Sequence, residues 1–196
     1  MPEHSQKNPE ASSSGSLMPR LLSCHLKLLK DSCPEIIAAA TLLLVPAVAV
    51  FLITDPEQFR SVHMASERNF LKSLMGVLTT NLPSALFLFA GVITLGLTAG
   101  VGCIVLGLFL GFSVSTAVGT FGVGHVIAQT WLYTPFEVYG FVLAGASGLV
   151  ATRRLLTLRE TPLQVFRSTS LRAFSLLAHS MILLSISAVL EAAVTL

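Results

Sequence analysis

Long apolar stretches that no charged side chain interrupts dominate this chain. The first covers residues 36–53 and lies between Glu35 and Asp55. At about 1.5 Å per residue, a helix of this length is just long enough to cross the hydrocarbon core of a bilayer. Pro46 lies inside the stretch, which a membrane span tolerates when neighbouring groups satisfy the freed carbonyl. We therefore predict a first transmembrane helix here.

The longest apolar stretch, residues 73–136, contains no Asp, Glu, Lys or Arg. It is too long for one helix and long enough for two spans joined by a tight turn. Because Gly100 and Gly102 are the residues most favourable to a break, we predict spans at about 82–101 and 102–121.

Two further apolar segments follow, at about 135–151 and about 174–194. The first is short for a full crossing, so it is either a tilted span or a partly re-entrant element. The pattern predicts an all-α membrane protein with about five transmembrane helices in a single domain over 36–196. The number of spans becomes even if the fourth segment does not cross or if the longest stretch holds one span.

The segments that flank the first span have different patterns. Residues 1–16 are rich in Ser, Pro and Glu and have no apolar face to pack, so we predict a disordered tail. Residues 17–35 carry leucines along one helical face and basic residues elsewhere, which is typical of an interfacial helix or of a plain juxtamembrane linker. Residues 55–80 combine charges with apolar residues at helical spacing and are predicted to form an amphipathic helix on the membrane surface.

Composition and charge agree with a lipid environment. The chain is 53% hydrophobic and 11% charged, whereas soluble domains contain roughly 25% charged residues. The net charge of +2 gives no indication of nucleic-acid binding. The three cysteines are widely spaced and form no CxxC or Cys/His cluster. We therefore expect no structural metal, no cofactor and no disulfide framework.

The uneven placement of basic residues predicts the orientation. Loops on the cytoplasmic side carry an excess of Lys and Arg. With a cytoplasmic N-terminus and five spans, the C-terminus lies outside. The inner side then holds Lys7, Arg20, Lys27, Lys30, Arg153, Arg154, Arg159, Arg167 and Arg172, and the outer side holds Arg60, Arg68 and Lys72.

Small residues recur every four positions within the predicted spans. Helices in lipid gain no hydrophobic free energy by touching, so they associate through close backbone approach, which small side chains permit. Such stripes serve either packing within the bundle or docking of a partner helix, including a second copy of the chain. The glycines concerned are Gly96 and Gly100 in the second span, Gly107 and Gly111 in the third, and Gly140 and Gly148 in the fourth.

Polar groups in or near the membrane are the candidates for function, because they are costly there. They are Asn81, His125, Glu137 and His179. No HExxH, GxSxG, paired-carboxylate or P-loop pattern occurs, so we expect no enzyme activity, and an ATP-driven function needs a separate subunit. Thr134 and Glu137 have the spacing of a capping box. Glu137 is therefore either part of a helix cap or a residue with a coupling or partner-binding role.

Three segments resemble the stage II sporulation protein M family: NLPSALFLFAGVITLG from Asn81, GLFLGF from Gly107, and FEVYGFVLAGASGL from Phe136. Within these segments, the Asn, downstream Phe and paired glycines of the family are matched by Asn81, Phe89, Gly91 and Gly96. The later His-Gly-x-x-Glu motif and its Ala- and Gly-rich segment are matched by Glu137 and Ala144–Leu149.

The chain also departs from the family pattern. Tyr133 and Thr134 stand where the family has His-Gly, and Leu106 stands where it usually has Asn. The resemblance implies a five-span helical fold and work beside other integral membrane or envelope proteins in the inner, or cytoplasmic, membrane of a bacterium. It indicates a non-enzymatic scaffold or complex subunit. The alternative is the membrane subunit of a transporter that works with a separate ATPase.

The orientation can be tested by cysteine labelling in intact cells. A single cysteine introduced at Thr130 is expected to react with an impermeant maleimide, because the asymmetry of basic residues places this loop outside. A single cysteine at Thr157 is expected to react only after permeabilisation. The reverse pattern of labelling would overturn the orientation.

Overall fold

The computed structural model describes residues 27–55, 70–158 and 162–194. Its regular structure in these ranges is entirely helical, and a first short helical stretch covers residues 27–31. The predicted disordered tail and most of the predicted interfacial helix lie outside the described residues. The longer helices are α1 (Cys33–Ile53), α2 (Phe70–Phe89), α3 (Leu97–Phe121), α4 (Val123–Thr130), α5 (Thr134–Leu158) and α6 (Pro162–Val194), with a 3₁₀ turn at Ala90–Val92.

Five of the described helices are long and apolar enough to cross a membrane. This confirms the prediction of an all-α protein with about five such helices. The fourth candidate runs from Thr134 to Arg153 and has 20 residues, which is sufficient for a full crossing. The others are Cys33–Ile53, Phe70–Val92, Leu97–Phe121 and Thr169–Val194.

The second span is placed differently from the prediction. The candidate span covers Phe70–Val92 rather than 82–101, so residues 70–80 belong to a helix that is long and apolar enough to cross a membrane. The break falls at residues 93–96, where Leu95 (φ 53°) and Gly96 (φ 93°) adopt left-handed backbone conformations. The Gly96 N–H donates to the Gly91 carbonyl, with 2.6 Å between N and O. Glycine composition alone did not reveal which glycine takes the left-handed conformation.

A neighbouring helix holds this turn in place. The Thr152 hydroxyl of α5 donates to the carbonyl oxygen of Leu95, at 2.7 Å. A Cβ at Gly96 would also collide with the Thr152 side chain. Gly96 therefore ends a turn beside α5 rather than packing within a span.

Helices α1 and α3 lie in close backbone contact. A Cβ at Gly107 would overlap the carbonyl oxygen of Leu43, and a Cβ at Gly111 would overlap that of Ala47. The glycines thus face successive turns of α1. One turn further along each helix, the Ser115 hydroxyl of α3 lies 3.5 Å from the carbonyl oxygen of Phe51 in α1. Because residue numbers rise together in all three pairs, the two helices run in the same direction.

Helix α5 occupies the centre of the bundle. In the 18-residue apolar stretch of α5, 56% of the residues are buried inside the bundle. In the corresponding stretches of the other four candidate spans, 17–33% of the residues are buried. Gly140 approaches the Leu184 side chain of α6, and Gly148 approaches the backbone of Leu88 in α2. On another face of α5, Gly145 meets the sulfur of Cys103 in α3. Small residues therefore allow this one helix to contact three others closely.

Apart from Gly96 in the turn, the glycines singled out from the sequence divide into two groups. Gly107, Gly111, Gly140 and Gly148 lie at helix contacts within the chain. Gly100 differs from the prediction, because within the described ranges no atom from another part of the bundle lies within 4 Å of the position that its Cβ would occupy. The spacing of small residues shows that they lie on one face of a helix, but it does not show whether that face is turned toward the other helices. It also missed three closely packed glycines: Gly91, Gly102 and Gly145.

A matched pair of alanine substitutions tests the α1–α3 contact. We expect Gly111→Ala to lower the free energy of unfolding by about 1–3 kcal/mol, because the added methyl group must displace the backbone of α1. Gly100→Ala adds the same group to the same helix in open space and should be neutral or raise stability by up to about 1 kcal/mol. The measurement is thermal unfolding in detergent. Equal melting temperatures for the two variants would contradict the contact.

Candidate functional site

Glu35 is a buried carboxylate and Glu137 is a half-buried one, and the two have different environments. Glu35, in the first turn of α1, is only 3% exposed. One Glu35 oxygen lies 3.2 Å from the Arg172 guanidinium of α6 and the other lies 3.4 Å from that of Arg153 in α5. The Arg172 Nε also donates to the Ser32 hydroxyl, at 2.9 Å. The chain thus compensates the charge of Glu35 with its own arginines while linking three helices.

Glu137 is half-buried and lies in the first turn of α5. Its Oε1 accepts a hydrogen bond of 2.9 Å from the Nδ2 of Asn81. Asn81 lies near the middle of the second span and is 6% exposed. The bond between these side chains joins α2 to α5. Two of the polar residues that the sequence singled out therefore form one site.

The hydrogen bonds around Thr134 differ from those of the predicted capping box. The helix begins at Thr134 itself, and the Glu137 N–H donates to the carbonyl oxygen of Tyr133, at 3.1 Å. The chain already turns before this point, because the Tyr133 N–H donates to the carbonyl of Thr130. The acceptor for the Glu137 N–H is therefore the Tyr133 carbonyl oxygen and not the Thr134 hydroxyl oxygen that the capping box predicts. The Glu137 carboxylate bonds across to α2 instead of reaching back to the helix start.

Further acidic and polar groups surround this end of α5. Glu191 of α6 lies close enough to Glu137 for the two carboxylates to repel each other. Burial raises the pKa of the Tyr133 phenol to about 12, and the charges of Glu191 and Glu137 contribute to the increase. Tyr133 therefore stays neutral at physiological pH. Its carbonyl accepts a bond of 3.1 Å from the Ser187 hydroxyl, which ties α6 to the start of α5.

A cavity of about 240 Å³ lies beside the Asn81–Glu137 pair. Residues from α1, α2, α3 and α5 line it. The polar residues that line the cavity besides this pair are Thr80, Ser84 and Ser113. The apolar walls are formed by Leu43, Leu106, Phe109, Leu110, Val138 and Phe141.

Neither candidate histidine contacts the Asn81–Glu137 pair. His125 is exposed on α4, with its ring centroid 5.6 Å from that of Phe121. His179 Nδ1 lies 2.7 Å from the carbonyl oxygen of Ser175 in its own helix. Within the described ranges, no three His, Cys, Asp or Glu side chains come together in a way that could hold a metal ion.

The sequence interpretation missed Glu191 and the cavity. Glu191 is the only acidic residue after Glu160, and this isolation within an apolar helix was a usable signal. The cavity had no such signal, because it depends on how closely four helices approach one another.

The interhelical bond can be tested with Asn81→Ala. This change should lower stability by about 1–2 kcal/mol, because it removes a bond between helices and leaves a carboxylate oxygen without its donor. Glu137→Gln keeps an acceptor oxygen for Asn81 and should melt close to the wild type. Thr134→Ala is the control and should change stability by less than about 0.5 kcal/mol. If Thr134→Ala lowers stability more than Asn81→Ala does, the capping box is present and the interhelical bond is the less important of the two.

Comparison with known proteins complements this geometry. No curated protein and no solved structure matches the chain significantly. The model of one family, stage II sporulation protein M, matches residues 37–196. The match covers almost all of α1 and every later helix, together with Asn81, Glu137 and the cavity between them. The chain therefore belongs to the stage II sporulation protein M family.

Proposed function

We propose that this protein is a non-enzymatic subunit of a bacterial membrane complex, in which it holds other integral membrane or envelope proteins together. Family membership supports a protein embedded in a membrane. The observation that carries the proposal is the cavity at the Asn81–Glu137 pair, because a polar site that opens between helices suits contact with a partner in the same bilayer.

The use of buried hydroxyls supports a structural role. The hydroxyls of Ser115, Thr152 and Ser187 each donate to a backbone carbonyl on a different segment of the bundle. Such bonds join elements, whereas a nucleophilic hydroxyl needs a positioned base. These three side chains therefore serve packing.

The outer face of α3 supplies a surface for a partner. Phe109 and Phe112 are 66% and 49% exposed and lie three residues apart, on one face of the helix. Phe109 also lines the cavity. An apolar partner helix on this face would cover both aromatic rings and the opening to Glu137.

A transporter subunit is the second candidate. The observation that favours it is a carboxylate within a candidate span beside a cavity, since such groups often lie on the paths of ions and substrates. This function needs a partner that supplies energy, and in our proposal that partner is a separate ATPase.

Photo-crosslinking in living cells distinguishes these functions. A benzophenone amino acid at Phe112 should yield defined crosslinked products, identified by mass spectrometry after purification in mild detergent. Phe174 on α6 is the matched control, because it is also a phenylalanine and is 54% exposed; it should give lipid adducts only.

The identity of the product decides between the candidates. Crosslinking to membrane or envelope proteins such as cell-wall hydrolases supports the scaffold. Recovery of a nucleotide-binding subunit supports transport and contradicts the scaffold. If neither class is recovered from Phe112, both functions are wrong.

A further inference from the structure

The charges of the buried Glu35 and the half-buried Glu137 are balanced differently. Glu35 has two arginine partners within the chain. Among the described residues, the side chains that interact with Glu137 are Asn81, Glu191 and Tyr133, and none of them is cationic. An ionised carboxylate in a low-dielectric region is costly unless a positive charge compensates it. Glu137 is therefore set up to receive a cation from outside the described bundle.

The cavity limits the size of that cation. Pockets for drug-sized ligands have volumes of about 300–1,000 Å³, and this one has about 240 Å³. A single long side chain fits this space better than a whole small-molecule substrate does. The apolar walls at Leu106, Leu110 and Phe141 suit the methylene stem of such a side chain, with its charged end at Glu137.

The position of the opening indicates the direction of approach. Thr80 of α2 and Phe109 of α3 both line the cavity and are both exposed. The cavity therefore reaches the surface between α2 and α3. Since both helices are candidate membrane spans, an occupant enters from the side, within the bilayer. The Asn81 bond uses only Oε1 of Glu137, and no side chain in the described part of the chain donates to its second oxygen.

We propose that this cavity receives a lysine or arginine side chain from a transmembrane helix of a partner protein, and that this basic residue pairs with Glu137. The inference rests on the proposed scaffold function and names the chemistry by which a partner is recognised. In a bilayer such a pair gives specificity, since a partner helix without the basic residue leaves Glu137 uncompensated.

A defined peptide tests the pairing without knowledge of the natural partner. The full chain is reconstituted into phosphatidylcholine vesicles with a synthetic apolar transmembrane peptide that carries one lysine about one turn inside its apolar segment. The matched peptide has methionine at that position. Energy transfer between labelled protein and labelled peptide should show about tenfold tighter association of the lysine peptide. Glu137→Gln should remove this preference.

An internal lysine provides a second measurement. Leu106 lines the cavity, so Leu106→Lys should place a cation beside Glu137 and block the lysine peptide. The single variant Leu106→Lys should have a melting temperature at least about 4 °C higher than that of the double variant Leu106→Lys, Glu137→Gln. Leu108→Lys is the control: Leu108 is 43% exposed on the same helix and is not among the cavity-lining residues. Leu108→Lys should lower the melting temperature by the same amount in the wild-type protein and in Glu137→Gln.

The remaining outcomes contradict the inference in separable ways. Equal association of the two peptides with the wild type would mean that the cavity holds only water or lipid. If the double variant Arg60→Gln, Arg68→Gln binds the lysine peptide more tightly than the wild type does, the chain's own arginines occupy the site. If Phe112 crosslinks in cells persist unchanged in Glu137→Gln, the scaffold stands and the pairing is wrong. If peptide pairing holds but no crosslinked partner exists, the scaffold is wrong.

Discussion

Close backbone contact between helices is the interaction on which this bundle depends. In lipid the hydrophobic effect does not drive one helix against another, so van der Waals contact and interhelical hydrogen bonds must do so. Gly107 and Gly111 bring α3 against the carbonyls of α1, and Gly148 brings α5 against the backbone of α2. With α5 at the centre, these contacts set the positions of Asn81 and Glu137 relative to each other. The site is thus a consequence of where small residues lie.

The buried Glu35 and the half-buried Glu137 have distinct physical roles. The Glu35 cluster joins α1, α5 and α6 and is balanced within the chain. Removing one arginine would leave a buried charge partly uncompensated, so the cluster is a structural device. Glu137 has an amide donor and an acidic neighbour. Since the bundle compensates one carboxylate and not the other, the environment of Glu137 is the less expected of the two and points to function.

Much of the fold could be predicted from the sequence, because a transmembrane helix is set by local apolarity and length. The first and third spans and the packing positions Gly107 and Gly111 follow from such local patterns. The break at 93–96 does not, because it depends on the left-handed conformation of Leu95, a residue that rarely adopts it. The Asn81–Glu137 bond joins residues that are 56 positions apart. The sequence singled out both residues but held no information about their pairing.

Leu106 connects the family pattern to the site. The resemblance places an Asn before Gly107, and this chain has Leu106 there, at the wall of the cavity. An amide at this position would give the cavity a further polar group near Glu137. Leucine makes that wall apolar, which raises the cost of an uncompensated carboxylate beside it. The substitution therefore strengthens the dependence of Glu137 on a cation from outside the bundle and makes a long side chain with an apolar stem a better occupant than a hydrated ion.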